Sequence, residues 1–154
     1  WKTSLLSTSW SPDKKYITAS TQENAIHFWP YPFHEQKDFQ ISGYHSKVNK
    51  MIWSRDSSLF VVNNAEDVHI WDFSEGPPTG KSPTLLRCSF GKITDICYKQ
   101  NLLIAASEKG FIFYFVPDTS NRFIHIHAVD DEITCIDLND DETELFVGCK
   151  SGKV

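Results

Sequence analysis

The sequence predicts an all-β fold built from repeated antiparallel sheets, on the strength of three observations. A pattern of one alternating strand, a polar turn and a second apolar strand returns four times along the chain. Its copies lie 43, 45 and 40 residues apart when they are aligned on Trp10, Trp53, Tyr98 and Leu138. No segment has a helical apolar periodicity long enough to compete. We therefore expect a series of similar β-sheets.

Each repeat is expected to supply four strands in sequence order. The first two flank the polar turn, as in LLSTSWSPDKKYITAS. Third strands, in which side chains alternate between two faces, are expected at 25–30, 68–73 and 111–116. Fourth strands are expected at 38–42, 84–90 and 122–128. The fourth repeat reaches Gly-Lys-Val and stops, so the sequence predicts about three and a half four-stranded antiparallel units.

Composition and charge limit the classes of function that we expect for this protein. The chain has 154 residues, of which 40% are hydrophobic and 14% aromatic, enough for one globular domain with a real core. The net charge is −5, and the excess of negative charge lies in residues 128–154, which have 8 acidic and 2 basic side chains. The absence of a basic stripe argues against nucleic-acid binding. With neither a long apolar run nor a signal-peptide pattern at the start, we expect a cytoplasmic protein that does not enter a membrane.

The stretch GPPTGKS at 76–82 resembles a phosphate-binding loop only at first sight. Such a loop needs four residues between its first glycine and Gly-Lys-Ser, and here three intervene. Pro83 then stands where a helix with free N–H groups should begin. The prolines and glycines instead predict an exposed loop between two strands.

The repeated units resemble the WD-repeat β-propeller family. The resemblance rests on His-Ile-Trp-Asp at 69–72, His-Phe-Trp-Pro at 27–30, Gly-Tyr-His at 43–45 and turns such as Ser-Pro-Asp at 11–13. It covers the whole chain and implies one partial propeller domain over 1–154. The implied blades span approximately 4–42, 47–90, 92–128 and, incompletely, 132–154. The loop after Trp-Asp-Phe is similar to one found in prokaryotic WD-repeat proteins.

The resemblance also implies structural residues in each blade. The residues that match the family pattern are Trp29, His45, Trp71, Asp72 and Phe115. Family blades often carry a buried network of His, Ser or Thr, Asp and Trp, and only the second repeat offers both His45 and Trp71. Five aromatic residues at equivalent positions are expected in the core between sheets: Trp10, Trp29, Trp53, Trp71 and Phe115.

Metal-binding and catalytic patterns are weak. The cysteines at 88, 97, 135 and 149 form no C-x-x-C pair and are expected as buried thiols in a reducing compartment. His125 and His127 share one face of a strand, about 6.6 Å apart, and Asp130 and Asp131 lie nearby in sequence. An outer, solvated strand explains them better than a metal site. No catalytic motif is present, so we expect no cofactor and no enzymatic activity.

The sequence therefore predicts a non-enzymatic scaffold that displays loops on a rigid propeller and binds a protein or peptide partner. The candidate partner-binding residues are Tyr31, Phe33 and His34 in the loop 30–36, and Asp130, Asp131 and Glu132 in an acidic connection. Tyr31 and Phe33 either anchor a partner or pack on their own sheet. If the sequence is part of a longer chain, further blades of that chain would close the propeller. If it is complete, other copies of the chain would close it. The alternative is the propeller region of an enzyme or sensory protein, with a metal or acid–base site or a targeting role.

Overall fold

A computed structural model describes residues 3–33, 37–117 and 123–154. The chain forms fourteen strands within these ranges, and they build four sheets. Sheet 1 contains β1 (Leu5–Trp10), β2 (Tyr16–Thr21), β3 (Ile26–Pro30) and β4 (Phe39–Ile41). Sheet 2 contains β5 (Met51–Trp53), β6 (Leu59–Asn64), β7 (Asp67–Asp72) and β8 (Thr84–Arg87). Sheet 3 contains β9 (Ile93–Tyr98), β10 (Leu103–Ser107), β11 (Phe111–Phe115) and β12 (Phe123–Ala128), and sheet 4 contains β13 (Ile133–Leu138) and β14 (Leu145–Cys149).

Every sheet is an antiparallel meander in which sequence neighbours pair. The first hairpins of sheets 1, 2 and 4 share one register, in which Ser9 pairs with Thr18, Ile52 with Val61 and Asp137 with Phe146. In sheet 3 the paired residues, Cys97 and Ile104, lie two positions closer along the chain. The prediction of an all-β protein with repeated four-stranded antiparallel sheets is confirmed. This arrangement is consistent with propeller blades.

The strands end close to the predicted positions. The largest difference is β8, which stops at Arg87 although the apolar pattern runs to residue 90. The backbone N–H of Cys88 still bonds to the carbonyl of Glu66, in the turn before β7, and Ser89 then takes a left-handed conformation with φ of 51° that is incompatible with continued strand. Residues 76–82 form turns and not strand, so the predicted loop is confirmed, and a strand follows it where a phosphate-binding loop would need a helix.

Three apolar layers hold the sheets together. The first strands of successive sheets lie side by side, with β1 against β5, β5 against β9 and β9 against β13. The layer between sheets 1 and 2 is mostly aromatic and includes Tyr16, Phe28, Trp53, Phe60 and Phe73. The layers between sheets 2 and 3 and between sheets 3 and 4 are richer in aliphatic side chains. Burial of these faces drives the stacking.

A recurring turn closes the first hairpin of sheets 1, 2 and 4. In sheet 1, the Ser11 hydroxyl donates to Asp13 at 2.6 Å and accepts the backbone N–H of Tyr16 at 2.9 Å, while Lys14 takes a left-handed conformation with φ of 64°. Ser54 and Asp56 repeat the first contact at 2.6 Å in sheet 2. Short polar side chains that bond to nearby backbone groups favour such turns over continued strand.

No helix among the described residues is long and apolar enough to cross a membrane.

Candidate interaction surfaces

Three exposed aromatic side chains form a surface on sheet 1. Trp10, Tyr31 and Phe33 are 52%, 54% and 50% exposed. The ring centroids of Trp10 and Tyr31 lie 6.3 Å apart, and those of Tyr31 and Phe33 lie 5.3 Å apart, both edge-on. We call these three residues the aromatic surface. Contiguous exposed aromatic groups of this kind mark interaction sites.

An open cavity of about 400 Å³ adjoins the aromatic surface. It is lined by Trp10, Ser11, Pro12 and Lys14. Tyr31 and Phe33, two of the predicted partner-binding residues, are therefore exposed beside an apolar depression, although they also contact their own sheet through Trp10. Their partner-binding role stays a prediction. His34, the third residue of that prediction, lies outside the described residues.

The expectation that Trp10 is a core residue is wrong. Its equivalent Trp53, at the end of the first strand of sheet 2, is 6% exposed, as predicted. Trp71 and Phe115, on the third strands of sheets 2 and 3, are 8% and 1% exposed, also as predicted. Trp29 is half-buried. Trp53 is covered because sheet 1 precedes sheet 2, whereas no described sheet precedes sheet 1. The repeat pattern identified the position correctly but could not say which copy would have a neighbour.

A second surface is a groove between the first turns of sheets 2 and 3. Three adjoining cavities of about 290, 310 and 450 Å³ all include Tyr98 in their walls. We call this the turn groove. The side chains that line it include Arg55, Ser58, Asp72, Tyr98, Gln100 and Asn101.

The turn groove exists because the first turn of sheet 3 is short and is bonded to sheet 4 rather than to sheet 2. Residues 99–102 join β9 to β10, one residue fewer than the turns 11–15 and 54–58. The backbone N–H groups of residues 100–102 donate to one carboxylate oxygen of Glu142, in sheet 4, at 2.9–3.0 Å. Lys99 points the same way, to Asp140 at 3.2 Å. The turn thus contacts sheet 4 and leaves a space between itself and the first turn of sheet 2. Lys99 and Asp140 also line one of the three cavities in this space.

Charges of both signs line the turn groove. Hydrogen bonds from the Ser54 hydroxyl and from Ser58 lower the pKa of Asp56, and those from the Ser74 hydroxyl and N–H lower the pKa of Asp72. Both carboxylates are therefore ionised at neutral pH, with part of their accepting capacity already used. Arg55 is exposed and has no ion-pair partner among the described residues. Its guanidinium can donate two parallel hydrogen bonds to a carboxylate.

The predicted acidic connection is largely engaged within the chain. Asp131 accepts a hydrogen bond from the Ser151 hydroxyl, and this contact lowers the pKa of Asp131. Glu132 forms an ion pair with Lys150 at 2.7 Å. Asp130 is exposed. Two of the three carboxylates therefore hold the turn after β14, and the role of all three in partner binding stays a prediction.

The buried network of the second repeat uses a tyrosine that the sequence analysis did not select. The indole N–H of Trp71 donates to the Tyr44 hydroxyl at 2.9 Å, and both side chains are buried. His45 is exposed and only its backbone N–H is bonded, to Asn64 at 3.2 Å. Burial raises the pKa of Tyr44 although the bond from Trp71 lowers it. His45 and Trp71, the two members of the family network that the second repeat offers, are therefore not joined to each other by a hydrogen bond. Tyr44, the residue before His45 in the Gly-Tyr-His motif, bonds to Trp71 instead. Asp72, also in the family pattern, is exposed and bonds to Ser74 at 2.5 Å.

The histidines and cysteines named in the sequence analysis differ in their exposure. Within the part of the chain that the structure describes, no three His, Cys, Asp or Glu side chains converge to hold a metal ion. His127 is exposed, and the side chain of His125 lies outside the described residues. Burial raises the pKa of Cys88 and of Cys97 to about 12, so both are inert thiols, as expected. The same expectation is wrong for Cys135, which is exposed.

No protein-family model matches the sequence, and no curated protein matches it.

Proposed function

We propose that this chain is part of a WD-repeat β-propeller that acts as a non-enzymatic scaffold for protein–protein interaction. The repeated meander, the register shared by the first hairpins of sheets 1, 2 and 4, and the side-by-side first strands support the propeller interpretation. The Trp-Asp and Gly-Tyr-His motifs support the WD-repeat type. A rigid stack of sheets with its loops at the surface suits the display of binding loops to a partner better than it suits catalysis.

The turn groove is the observation that carries this proposal. It is open to solvent, and its lining includes the ring of Tyr98, the side chain of Asn101 and the exposed guanidinium of Arg55. The ionised carboxylates of Asp56 and Asp72 also line it. Aromatic and arginine side chains are enriched among residues that dominate binding energy. An extended peptide that carries a carboxylate for Arg55 fits this chemistry. We propose the aromatic surface as a second docking site.

A displayed library of random peptides tests the groove. Peptides enriched on the wild-type chain are synthesised, and their affinity is measured by fluorescence anisotropy. We expect Arg55→Glu to weaken binding at least about tenfold, equivalent to about 1.4 kcal/mol. Arg87→Glu, which makes the same charge change at an exposed position on β8, is the matched control and should bind as the wild type does.

Either of two results would contradict the groove as a docking site. One is a library from which no sequence is enriched above background. The other is a set of peptides that bind Arg55→Glu and the wild type equally well. Melting temperatures of both variants establish that any loss of affinity reflects the surface and not unfolding.

A further inference from the structure

The turn groove crosses two sheets, from the ends of their first strands to the ends of their third strands. One of its cavities, of about 310 Å³, lies where β5 and β9 end, and its walls include Trp53 and Tyr98. We call it the inner cavity. Another, of about 290 Å³, lies beside the ends of β7 and β11, and its walls include Asp72 and Pro117. We call it the outer cavity. Sheets 2 and 3 each contact a sheet on either side, so the groove lies between two internal sheets.

The third cavity, of about 450 Å³, connects the other two. This middle cavity shares Arg55 and Gln100 with the inner cavity, and Ser58 and Asn101 with the outer cavity. Tyr98 lines all three. Because β5, β6 and β7 are neighbouring strands, the groove spans about two strand spacings, or about 10 Å, which is the length of about three residues of an extended peptide.

Positive charge is available at the inner end of the groove. Arg55 lines the inner and middle cavities, is exposed, and has no ion-pair partner among the described residues. Lys99 and Asp140 also line the inner cavity, but they lie 3.2 Å apart and offset each other. Lys99 also lies 3.9 Å from Asp137. Arg55 is therefore the cation that remains for a carboxylate, to which its guanidinium can donate two parallel hydrogen bonds.

Negative charge is available at the outer end. Asp72 is exposed, and within the described ranges it is the one charged side chain that lines the outer cavity. Its hydrogen bonds from the N–H and the hydroxyl of Ser74 both go to Oδ1. These bonds, followed by the charge of Lys81, lower the pKa of Asp72, but Lys81 itself is paired with Glu75 at 2.8 Å. Oδ2 of Asp72 can therefore accept a hydrogen bond from another ammonium or guanidinium group.

The charge of the groove changes sign along its length. The charged groups that line it are Arg55, Lys99 and Asp140 in the inner cavity, Arg55 and Asp56 in the middle cavity, and Asp72 in the outer cavity, so the described residues give these cavities net charges of +1, 0 and −1. A ligand with charge of one sign only would bring like charges together at one end of the groove, which costs affinity.

We propose that the turn groove selects an extended peptide that carries charges of both signs: an acidic side chain that binds Arg55, and a lysine or arginine about three residues away that binds Asp72. The ring of Tyr98, which lines all three cavities, contacts the segment between the two charges. This inference rests on the proposed function of the groove as a docking site, and it specifies the ligand. The two ends also exclude wrong partners, because a peptide that is acidic or basic throughout is repelled at one of them.

The peptides that the wild-type chain enriches from a displayed random library give the first test. An acidic and a basic residue should occur about two to four residues apart in the enriched sequences more often than in the unselected library, because the length of the groove sets this spacing. Enriched sequences that are acidic throughout, or that show no excess of such pairs, would overturn the proposal.

A double-mutant cycle with one enriched peptide tests the contact at Asp72. We expect Asp72→Asn to raise the dissociation constant about threefold, and replacement of the basic residue of the peptide by glutamine to do the same on the wild-type chain. On Asp72→Asn, the glutamine peptide should bind as tightly as the original peptide, because the partner of the basic residue is already absent.

The variant and its control differ in where a negative charge is lost. Asparagine at position 72 keeps an oxygen for the bonds from Ser74, and melting temperatures check that Asp72→Asn folds. Glu66→Gln removes an exposed carboxylate at the other end of β7, outside the groove, and is the matched control that should bind as the wild type does. Asp72→Lys should reverse the preference and bind a peptide with glutamate in place of the basic residue at least about tenfold more tightly than the original peptide.

The outcomes separate this inference from the proposed function on which it rests. If Arg55→Glu weakens binding while Asp72→Asn and Asp72→Lys bind the peptides as the wild type does, the groove remains a docking site and the ligand with charges of both signs is wrong. If none of the three variants changes the affinity, the peptides bind elsewhere, and both the docking site and its ligand are wrong.

Discussion

Lys50 and Asp95 form an ion pair between sheets 2 and 3, with Lys50 Nζ 3.0 Å from Asp95 Oδ1. Each lies three residues before the aromatic residue that ends its first strand, Trp53 or Tyr98, so the two positions are repeat equivalents. Asp95 is 6% exposed, and its other oxygen accepts the backbone N–H of Ile136 in sheet 4 at 3.0 Å. One carboxylate therefore connects three successive sheets along their first strands.

Replacing Asp95 should destabilise the fold more than replacing Lys50. We expect Asp95→Asn to lower the free energy of unfolding by about 2–3 kcal/mol, because it weakens charge-assisted hydrogen bonds in a buried site. Lys50→Gln should lower it by about 1 kcal/mol, since the lysine is 45% exposed and the backbone donors to Asp95 remain. Denaturant unfolding measures both. Lys15→Gln, in the exposed pair with Asp13, is the control and should change little. If Asp95→Asn and Lys50→Gln lower the free energy of unfolding equally, the larger role assigned to Asp95 is wrong.

The hydrogen bond between Trp71 and Tyr44 should contribute measurably to stability. Tyr44→Phe leaves the buried indole N–H of Trp71 without its acceptor, and we expect a loss of about 1–3 kcal/mol. Adding Trp71→Phe removes the stranded donor, so the double variant should lose less than the sum of the two single variants. Tyr31→Phe removes a hydroxyl from an exposed ring and is the control. If the double variant loses the sum of the two single losses in denaturant unfolding, the hydrogen bond does not contribute to stability as expected.

Glu142 should make the junction between sheets 3 and 4 sensitive to acid. Burial raises the pKa of Glu142, but the three backbone donors of residues 100–102 outweigh it and hold the pKa below its ordinary value of 4.5. The contribution is therefore complete above pH 4.5 and is lost as the pH falls through the lowered pKa. At pH 7 we expect Glu142→Gln to lower stability by about 1 kcal/mol, because solvent weakens this partly exposed contact.

The melting temperature measured from pH 7 down to pH 3 tests this expectation. The difference between the wild type and Glu142→Gln should shrink as the carboxylate becomes protonated. Glu144→Gln, an exposed neighbour whose side chain caps no turn, should follow the wild type at every pH. A Glu142→Gln difference that does not depend on pH would contradict the role of the ionised group.

Gly110 should tolerate no side chain. Its φ is +82°, and an added Cβ would lie 2.1 Å from the carbonyl oxygen of Val129 and 2.6 Å from that of Asp131. We expect Gly110→Ala to lower the free energy of unfolding by more than about 2 kcal/mol through backbone strain and displacement of the 129–131 connection. Gly152, the equivalent residue of sheet 4, has a φ of +88° and open space around its Cβ. Gly152→Ala carries the same conformational strain without the clash, so similar losses in the two variants would show that the close approach is unimportant.

Some elements could be predicted because their signals are local. Strand alternation, the Ser-x-Asp turns and the proline-rich loop at 76–82 each depend on neighbouring residues, and the structure confirms them. The exposed aromatic pair Tyr31 and Phe33 was also selected from the sequence. The turn groove was missed, although the short turn after Tyr98 was visible as a gap in the repeat alignment.

By itself, the sequence determined the all-β class, the repeat and the strand order, because these follow from short-range periodicity and turn chemistry. Only the tertiary structure decided which equivalent positions are covered. Trp10 and Trp53 have the same local pattern, yet one is exposed and the other buried, since burial depends on the next sheet and not on adjacent residues. The same reason applies to Asp95, whose partners Lys50 and Ile136 are about one repeat away on either side and meet it only when the sheets stack.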